Sequence, residues 1–224
     1  MEKVLVSWSG GKDSTMALHD VLSKRTLRVV ALLTTITEEY DRISMHGVRR
    51  SLLEYQAESL GFPLELVILT KNGTNEEYEI QFSNTLEKYK ALGITSVVFG
   101  DIFLEDLKKY REKQLARLGM HGIFPLWKKE PGELLRSFVD LKFKAVIVCV
   151  DTQNLAQHYA GTLIDEQFIT EFPGNADICG ENGEYHSFVY DGPIFKSPVR
   201  FTLGEKVLRE DRFYYCDLQP ILEG

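Results

Sequence analysis

Six consecutive residues near the start of the chain, Ser9-Gly10-Gly11-Lys12-Asp13-Ser14, carry the groups that bind an anion. Gly10 and Gly11 reach backbone angles closed to other residues and let amides approach a ligand. Ser9 and Ser14 add hydroxyl donors, and Lys12 adds a full positive charge. The apolar run Val4-Leu5-Val6 feeds this turn and helical spacing follows it. Unpaired N–H groups and the positive end of a helix dipole therefore face the same spot, and the anion they suit is a phosphate. Two other glycine loops are excluded by spacing. Walker A needs a glycine five residues before the Gly-Lys pair and Ser or Thr after the lysine, where Val6 and Asp13 stand. The dinucleotide pattern fails because the two glycines are adjacent and no third follows.

A second constellation lies late in the chain, at Cys179-Gly180-Glu181-Asn182-Gly183-Glu184-Tyr185-His186-Ser187. Carboxylates in a glycine-punctuated loop can hold a metal, accept protons from an amine or orient ammonia, or can simply be solvated in a hairpin loop. His186 titrates near neutrality in water and is either a proton acceptor or a packed strand residue. His46 falls in a polar segment, within reach of a nucleotide or an acceptor or else as a plain loop residue. Asp101 is either a ligand of the site or a helix-capping acid. Tyr185 and Trp127 read as pocket lining or as core aromatics. Cys149 reads as inert core, and nothing near Cys179 in sequence lowers its pKa.

The elements that must position these groups alternate. Helical spacing at Met16, Ala17, Val21 and Leu22 ends before Arg28, and Arg28 to Ile36 is a β-branched and aliphatic run suited to a strand buried on both faces. A polar segment, Thr37 to His46, precedes a helix from about Gly47 to Leu60 that stops at Gly61 and Pro63. Leu64 to Thr70 is a strand, Asn72-Gly73 turns the chain, and Asn75 caps a helix running to Ala91. Ser96 to Gly100 is the next strand, Glu105 to Leu118 a helix, Pro131 to Leu141 another, and Lys144 to Val150 a strand. Short strands and turns fill the rest. This order predicts an α/β fold, a doubly wound parallel sheet followed by a smaller α+β domain. The boundary falls near Gly122 to Trp127, dividing the chain into 1–123 and 124–224. Ligands in such sheets bind beyond the carboxyl ends of the strands, so Ser7 to Ser14, Thr34 to His46 and Gly100 to Phe103 should face the ligand.

The 224 residues are 44% apolar and 26% charged, the balance of a soluble globular chain. No apolar run reaches the ~18 residues of a membrane span. A net charge of −7 argues against a broad nucleic-acid surface. The basic residues Lys108, Lys109, Arg111, Lys113 and Arg117 recur among acids on a helix and read as a solvated mixed-charge face. Three separated cysteines supply neither a metal spacing nor a paired disulfide framework. With no signal segment, a reducing cytoplasm is the expected location.

The loop SGGKDS after a first strand resembles the pyrophosphate loop of the ATP-pyrophosphatase, adenine nucleotide alpha-hydrolase-like, families. That resemblance implies ATP cleaved between its α- and β-phosphates. Together with Gly100-Asp101-Ile102, Pro125-Leu126-Trp127 and CGENGEYHSFVYDGP, the whole chain resembles the diphthine–ammonia ligase family. The family's fold joins a pyrophosphate-loop domain to a smaller C-terminal domain, and its reaction adenylates a carboxylate that ammonia converts to an amide. Carried onto this chain, the resemblance implies pyrophosphate bound by Ser9, Gly10, Gly11, Lys12, Asp13 and Ser14, with Gly100 and Asp101 at the nucleotide. Mg²⁺ would bridge the phosphates, with Asp13 as its candidate ligand or as a first-turn helix acid. Glu184 ranks first and Glu181 second as the group that binds ammonium or takes its proton, with His186 as a substitute and Lys12 stabilising charge. His46, Asn182, Gly183 and Tyr185 fall to the acceptor side. The acceptor is a carboxylate on a protein side chain or small molecule, and free ammonia is the nitrogen source. Archaeal and eukaryotic ligases of the family carry Glu-Gly-Gly-Glu-Tyr-Glu-Thr in the late motif. Here Asn182 and His186 replace a glycine and an acid, a form that resembles bacterial-type relatives acting on an acceptor other than diphthine. Two other classes remain open: a nucleotide-binding sensor without chemistry, and a pyrophosphate-loop enzyme of tRNA modification. The sequence leaves oligomeric state open.

Overall fold

Strand β1 (Glu2–Ser7) shows why the first half of the chain folds as two layers of helix on a sheet. Val4 and Val6 bury into one core and Leu5 into another, so both faces of the strand must be covered. The structure, a computed structural model, describes residues 1–43, 46–70 and 74–221. After β1 come α1 (Lys12–Lys24), β2 (Leu27–Thr37), β3 (Arg42–Ile43), α2 (Arg50–Leu60), β4 (Leu64–Leu69), α3 (Asn75–Ala91), β5 (Ser96–Val98), α4 (Glu105–Arg117) and β6 (His121–Ile123). The strands pair in parallel in the order β4-β2-β1-β5-β6, and β3 adds antiparallel to the end of β2. Helices α1 and α2 cover one face through Met16, Leu18, Leu52 and Leu53. The other face is covered by α3 and α4 through Phe82, Leu86 and Leu115. This is the doubly wound α/β sheet that the alternation predicts.

The second half contains α5 (Pro131–Asp140), β7 (Lys144–Asp151), α6 (Glu166–Glu171), β8 (Tyr185–Asp191), β9 (Phe201–Arg209) and β10 (Phe213–Pro220). Its strands form an antiparallel sheet, β8-β7-β10-β9. The core under α1 and α2 continues through Val146, Phe188 and Val189 of this sheet, so the two sheets share one apolar interior. Burying those side chains on both sides of the junction fixes the late loop relative to the first strand. Among the described residues no helix is long and apolar enough to cross a membrane.

Several local expectations change. Thr74 caps α3, accepting from the Glu77 amide at 3.2 Å, and Asn75 is the first helical residue. Asn72-Gly73 lies outside the described residues. The segment read as polar loop contains β3, and α2 starts at Arg50 instead of Gly47. Gly47 has φ of 69° and presses on the Tyr215 ring, where an added Cβ would come within 2.8 Å. Gly61 ends α2 as expected, its amide bonded to the Ala57 and Glu58 carbonyls.

Candidate active site

The Ser9–Ser14 loop hangs from the carboxyl end of β1. Trp8 extends the strand, its amide donating to the Leu33 carbonyl at 2.7 Å. Gly10 then turns with φ of 73°, and Gly11 caps α1 with an extended backbone. Ser14 and Thr15 hydroxyls both donate back to the Gly11 carbonyl, at 3.0 and 2.9 Å. Ser9 Oγ lies 3.2 Å from Ser14 Oγ and accepts from the Gly11 amide at 3.3 Å. The amides of Asp13 and Ser14 head the helix with no carbonyl of their own helix to bond.

Two elements far away in sequence press this loop into shape. Gln56 of α2, fully buried, accepts from Trp8 Nε1 at 3.0 Å and donates to the carbonyls of Gly10 and Val189. Gly100, after β5, lies so close to the start of α1 that an added Cβ would meet the Asp13 carbonyl carbon at 2.7 Å. The late loop closes over the top: Ser187 Oγ accepts from the Lys12 amide at 3.1 Å, and the Val189 amide donates to the Gly10 carbonyl at 2.9 Å. The Lys12 ammonium turns under that loop, donating to both Asp13 oxygens at 2.8 and 2.9 Å and to the Cys179 carbonyl.

A cavity of about 350 Å³ opens between these parts. Its floor is Ser9, Gly11, Lys12, Asp13 and Ser14, and Gly10 is buried behind them and does not line it. Thr34, Tyr78, Phe82 and Phe99 form one wall, and His46, Glu181, Tyr185 and His186 form another. Glu181 reaches across the cavity, its Oε1 accepting from the Ile102 amide at 2.8 Å. Gly183 also lines the cavity, whereas Asn182 and Glu184 do not. The Glu184 carboxylate is folded into its own loop, accepting from the Asp177 amide at 3.1 Å and from Asn182 Nδ2 at 3.2 Å, and its Oε2 is buried without a hydrogen bond. Asp101 does not cap α4, whose N-cap is Leu104; it pairs with Arg111 in the cavity wall. Arg111 corrects the reading of α4 as a wholly solvated face, because its guanidinium points inward and lies 4.5 Å over the Phe99 ring.

Comparison with known proteins now decides the family. Residues 2–122 match the family model described as the diphthamide synthase N-terminal domain, and residues 130–219 match that of the C-terminal domain. The chain belongs to the diphthamide synthase family. Among its relatives, the diphthine–ammonia ligase of Danio rerio is 26% identical over 228 residues, covering 91% of this chain and 88% of that protein. The diphthine–ammonia ligase of Schizosaccharomyces pombe is 27% identical over 224 residues, covering 92% of this chain and 37% of its own length. A solved structure described as a predicted subunit of tRNA methyltransferase from Methanocaldococcus jannaschii aligns with a TM-score of 0.41 at 20% identity. That alignment covers 71% of this chain and 84% of the other.

The electrostatics of this diphthamide synthase relative follow from burial and crowding. Burial works against the Lys12 ammonium, but Asp13 beside it holds the pKa above the ordinary lysine value. Burial raises Glu181 to about 7, aided by Asp13 and Asp101 and opposed by the Ile102 amide and Lys12. The rings of His46 and His186 stack 4.4 Å apart. Burial lowers both, with Lys12 adding to the effect, and His186 falls to about 4. Burial also pushes the Cys179 thiol up to about 12, and its Sγ contacts the Pro131 carbonyl at 3.1 Å. Gln56 was not singled out in the sequence, and Arg111 was read there only as part of a solvated face. The signal for Gln56 was a glutamine among Leu52, Leu53 and Ala57 on the apolar face of a helix; Arg111 had none.

Proposed function

We propose that this chain is an ATP-dependent, AMP-forming ligase that adenylates a carboxylate and transfers ammonia to it. Family membership supports the reaction class. The observation that carries the reading is that Glu181 of the late loop and the Ser9–Ser14 cradle face one cavity. The aromatic side chains of Tyr78 and Phe82 in that wall suit an adenosine, and Thr34 Oγ1 is buried there without a hydrogen bond.

In the first step an acceptor carboxylate oxygen attacks the α-phosphorus, the bond to the β-phosphate oxygen breaks, and pyrophosphate leaves. The helix-start amides stabilise charge as it builds on phosphate oxygens, and the Ser9 and Ser14 hydroxyls join them by rotating away from each other and from the Gly11 carbonyl. Lys12, committed to Asp13 and Cys179, holds the late loop against the cradle and supplies its charge from beneath. Among the described residues no group of three or more His, Cys, Asp or Glu is placed to hold a metal. The donor set fits an ion carried by the nucleotide, since Mg²⁺ asks for only one or two protein carboxylates. Asp13 would hold it, and it would share the charge on the phosphate oxygens.

In the second step ammonia attacks the acyl carbon and AMP departs. Ammonium must first lose a proton, and an effective base titrates near the working pH. Glu181, at about 7, meets that condition and faces the cavity. His186, at about 4, is too weak a base, and Glu184 points into its own loop. We therefore assign the base to Glu181 and a loop-building role to Glu184. His46 and His186, uncharged at neutral pH, line the acceptor side with Tyr185.

The test is to incubate the protein with ATP, Mg²⁺ and ammonium across a panel of carboxylates and follow the nucleotide products. Acceptor-dependent AMP and pyrophosphate are expected. ADP and phosphate would overturn the reading, and tight nucleotide binding without turnover would assign the chain to the sensor class.

A further inference from the structure

The cavity has a charge imbalance that the loop Ser9–Ser14 does not resolve. Three carboxylates face it, Asp13, Asp101 and Glu181, against two permanent cations, Lys12 and Arg111. ATP brings further negative charge. Lys12 is spent on its three oxygen partners, so its ammonium has little left to offer a phosphate. Arg111 is held differently. Its Nη2 donates to Asp101 Oδ1 at 3.2 Å, while Nε sits 2.8 Å from Oδ2 without hydrogen-bond geometry. Its Nη1 has no hydrogen-bond partner among the described residues. The Asp101 side chain is 8% exposed and that of Arg111 23%, so this half-made pair has a buried carboxylate and a partly exposed guanidinium. Asp101 directly follows Gly100, which touches the first turn of α1, and Arg111 lines the same cavity as Ser9, Gly11, Lys12, Asp13 and Ser14.

We infer that Arg111 is a pyrophosphate-binding residue: its fork engages the β- and γ-phosphates of ATP and then the departing pyrophosphate, while Asp101 and the Phe99 ring hold it in place. A guanidinium suits this role because its planar donors meet two phosphate oxygens at once. The Phe99 ring lies 4.5 Å from the guanidinium carbon, and Nη1 remains to donate. An arginine already paired with one carboxylate is pre-oriented and loses less side-chain freedom on binding. The inference rests on the cavity being a nucleotide site, and not on the identity of the acceptor.

Equilibrium binding separates the two. Calorimetric titration with inorganic pyrophosphate, ATP and AMP, each with Mg²⁺ and without an acceptor, reads the site without turnover. Arg111→Ala is expected to weaken pyrophosphate and ATP by roughly ten- to a hundredfold, the loss of a charge-assisted pair, and to leave AMP within about twofold. Arg111→Met keeps the aliphatic stem over Phe99 and removes only the charge, so it decides the matter if the alanine variant does not fold. Unchanged pyrophosphate affinity in a folded variant would overturn the assignment. So would equal losses for AMP and pyrophosphate, which would place Arg111 at the nucleoside. If wild type binds none of the three ligands, the nucleotide reading itself fails, a result distinct from a selective effect of Arg111.

Discussion

His46 and His186 stack with ring centroids 4.4 Å apart and planes 23° from parallel. One comes from the segment after β3 and the other from the start of β8, and the pair overhangs Gly11, whose added Cβ would lie 3.2 Å from His46 Cε1. Where archaeal and eukaryotic ligases place an acid, this chain therefore presents a neutral aromatic pair. Two imidazoles in a buried site beside an ammonium cannot both charge cheaply, so burial and Lys12 keep them uncharged.

Their titration makes the first prediction. A folded pKa below the unfolded value near 6.5 gives stability that is present above pH 6.5 and lost as pH falls towards about 4. His186→Phe keeps the stack and removes one titration, so it should blunt the loss of melting temperature between pH 6.5 and 4. Ring resonances in the wild type should show no protonation of His186 above pH 5. A His186 titrating at its ordinary value would contradict the buried pair.

Glu181 should set the alkaline rise of turnover. Activity is expected to increase as the carboxylate ionises through about pH 7 and then level off. Glu181→Gln keeps an acceptor for the Ile102 amide and removes the base, so turnover should fall about a hundredfold or more, with ATP affinity within a few-fold. Stability runs the opposite way. A carboxyl raised from 4.5 to about 7 in the fold favours folding at low pH and loses that contribution as pH rises through this window. The glutamine variant should thus melt higher than wild type at pH 8. A pH profile unchanged by the substitution would remove Glu181 as base.

Gln56 should be sensitive to chemistry more than to size. Its amide both accepts from Trp8 and donates to two carbonyls, which no other side chain of that length does. Gln56→Leu strands the Trp8 N–H and should cost about 2–3 kcal/mol of stability. Gln56→Glu, although isosteric, faces an acceptor-only carboxylate to the Gly10 and Val189 carbonyls and should be worse than leucine at neutral pH. Denaturant melts of the three proteins rank them directly.

Gly100→Ala tests the contact between the strand end and the first turn of α1. The new Cβ would sit 2.7 Å from the Asp13 carbonyl carbon and 2.9 Å from the Ser14 amide nitrogen, and backbone cannot swing aside as a side chain can. A loss of about 1–3 kcal/mol is expected, together with weaker ATP binding. Gly174→Ala, where an added Cβ meets nothing within 4 Å, is the matched control and should stay within about 0.5 kcal/mol.

Cys179 should be inert despite its place in the late loop. It is 1% exposed, its thiol is pushed up to about 12, and a thiol rather than a thiolate is a poor nucleophile. Alkylation of the native protein at pH 8 should spare it and proceed only on unfolding. Rapid native labelling at Cys179 would show that the loop opens.

Much of the fold was legible because its signals are local. The run Arg28 to Ile36 had to be covered on both faces, and helix-spaced Met16, Ala17 and Val21 supplied one cover. Caps were less legible, since Thr74 and Asn75 are both competent and only backbone geometry chose Thr74. Strand β3 was invisible because two residues carry no periodicity.

The sequence by itself determined the chemistry on offer. Adjacent glycines, flanking hydroxyls and a lysine between a strand and a helix specify an anion cradle, because each property belongs to the residue or to its immediate neighbours. Tertiary structure alone decided which groups face that cradle. The late loop could have directed either glutamate inward; hydrogen bonds from the Asp177 amide and Asn182 turned Glu184 into the loop and left Glu181 to reach Ile102. Lys12 was drawn to Asp13 and Cys179, and Arg111, ten residues beyond Asp101, was brought back to it by the packing of α4 on the sheet. Direction and burial are properties of the assembled surfaces, and they set the pKa of Glu181 and of the histidine pair, which residue types alone do not.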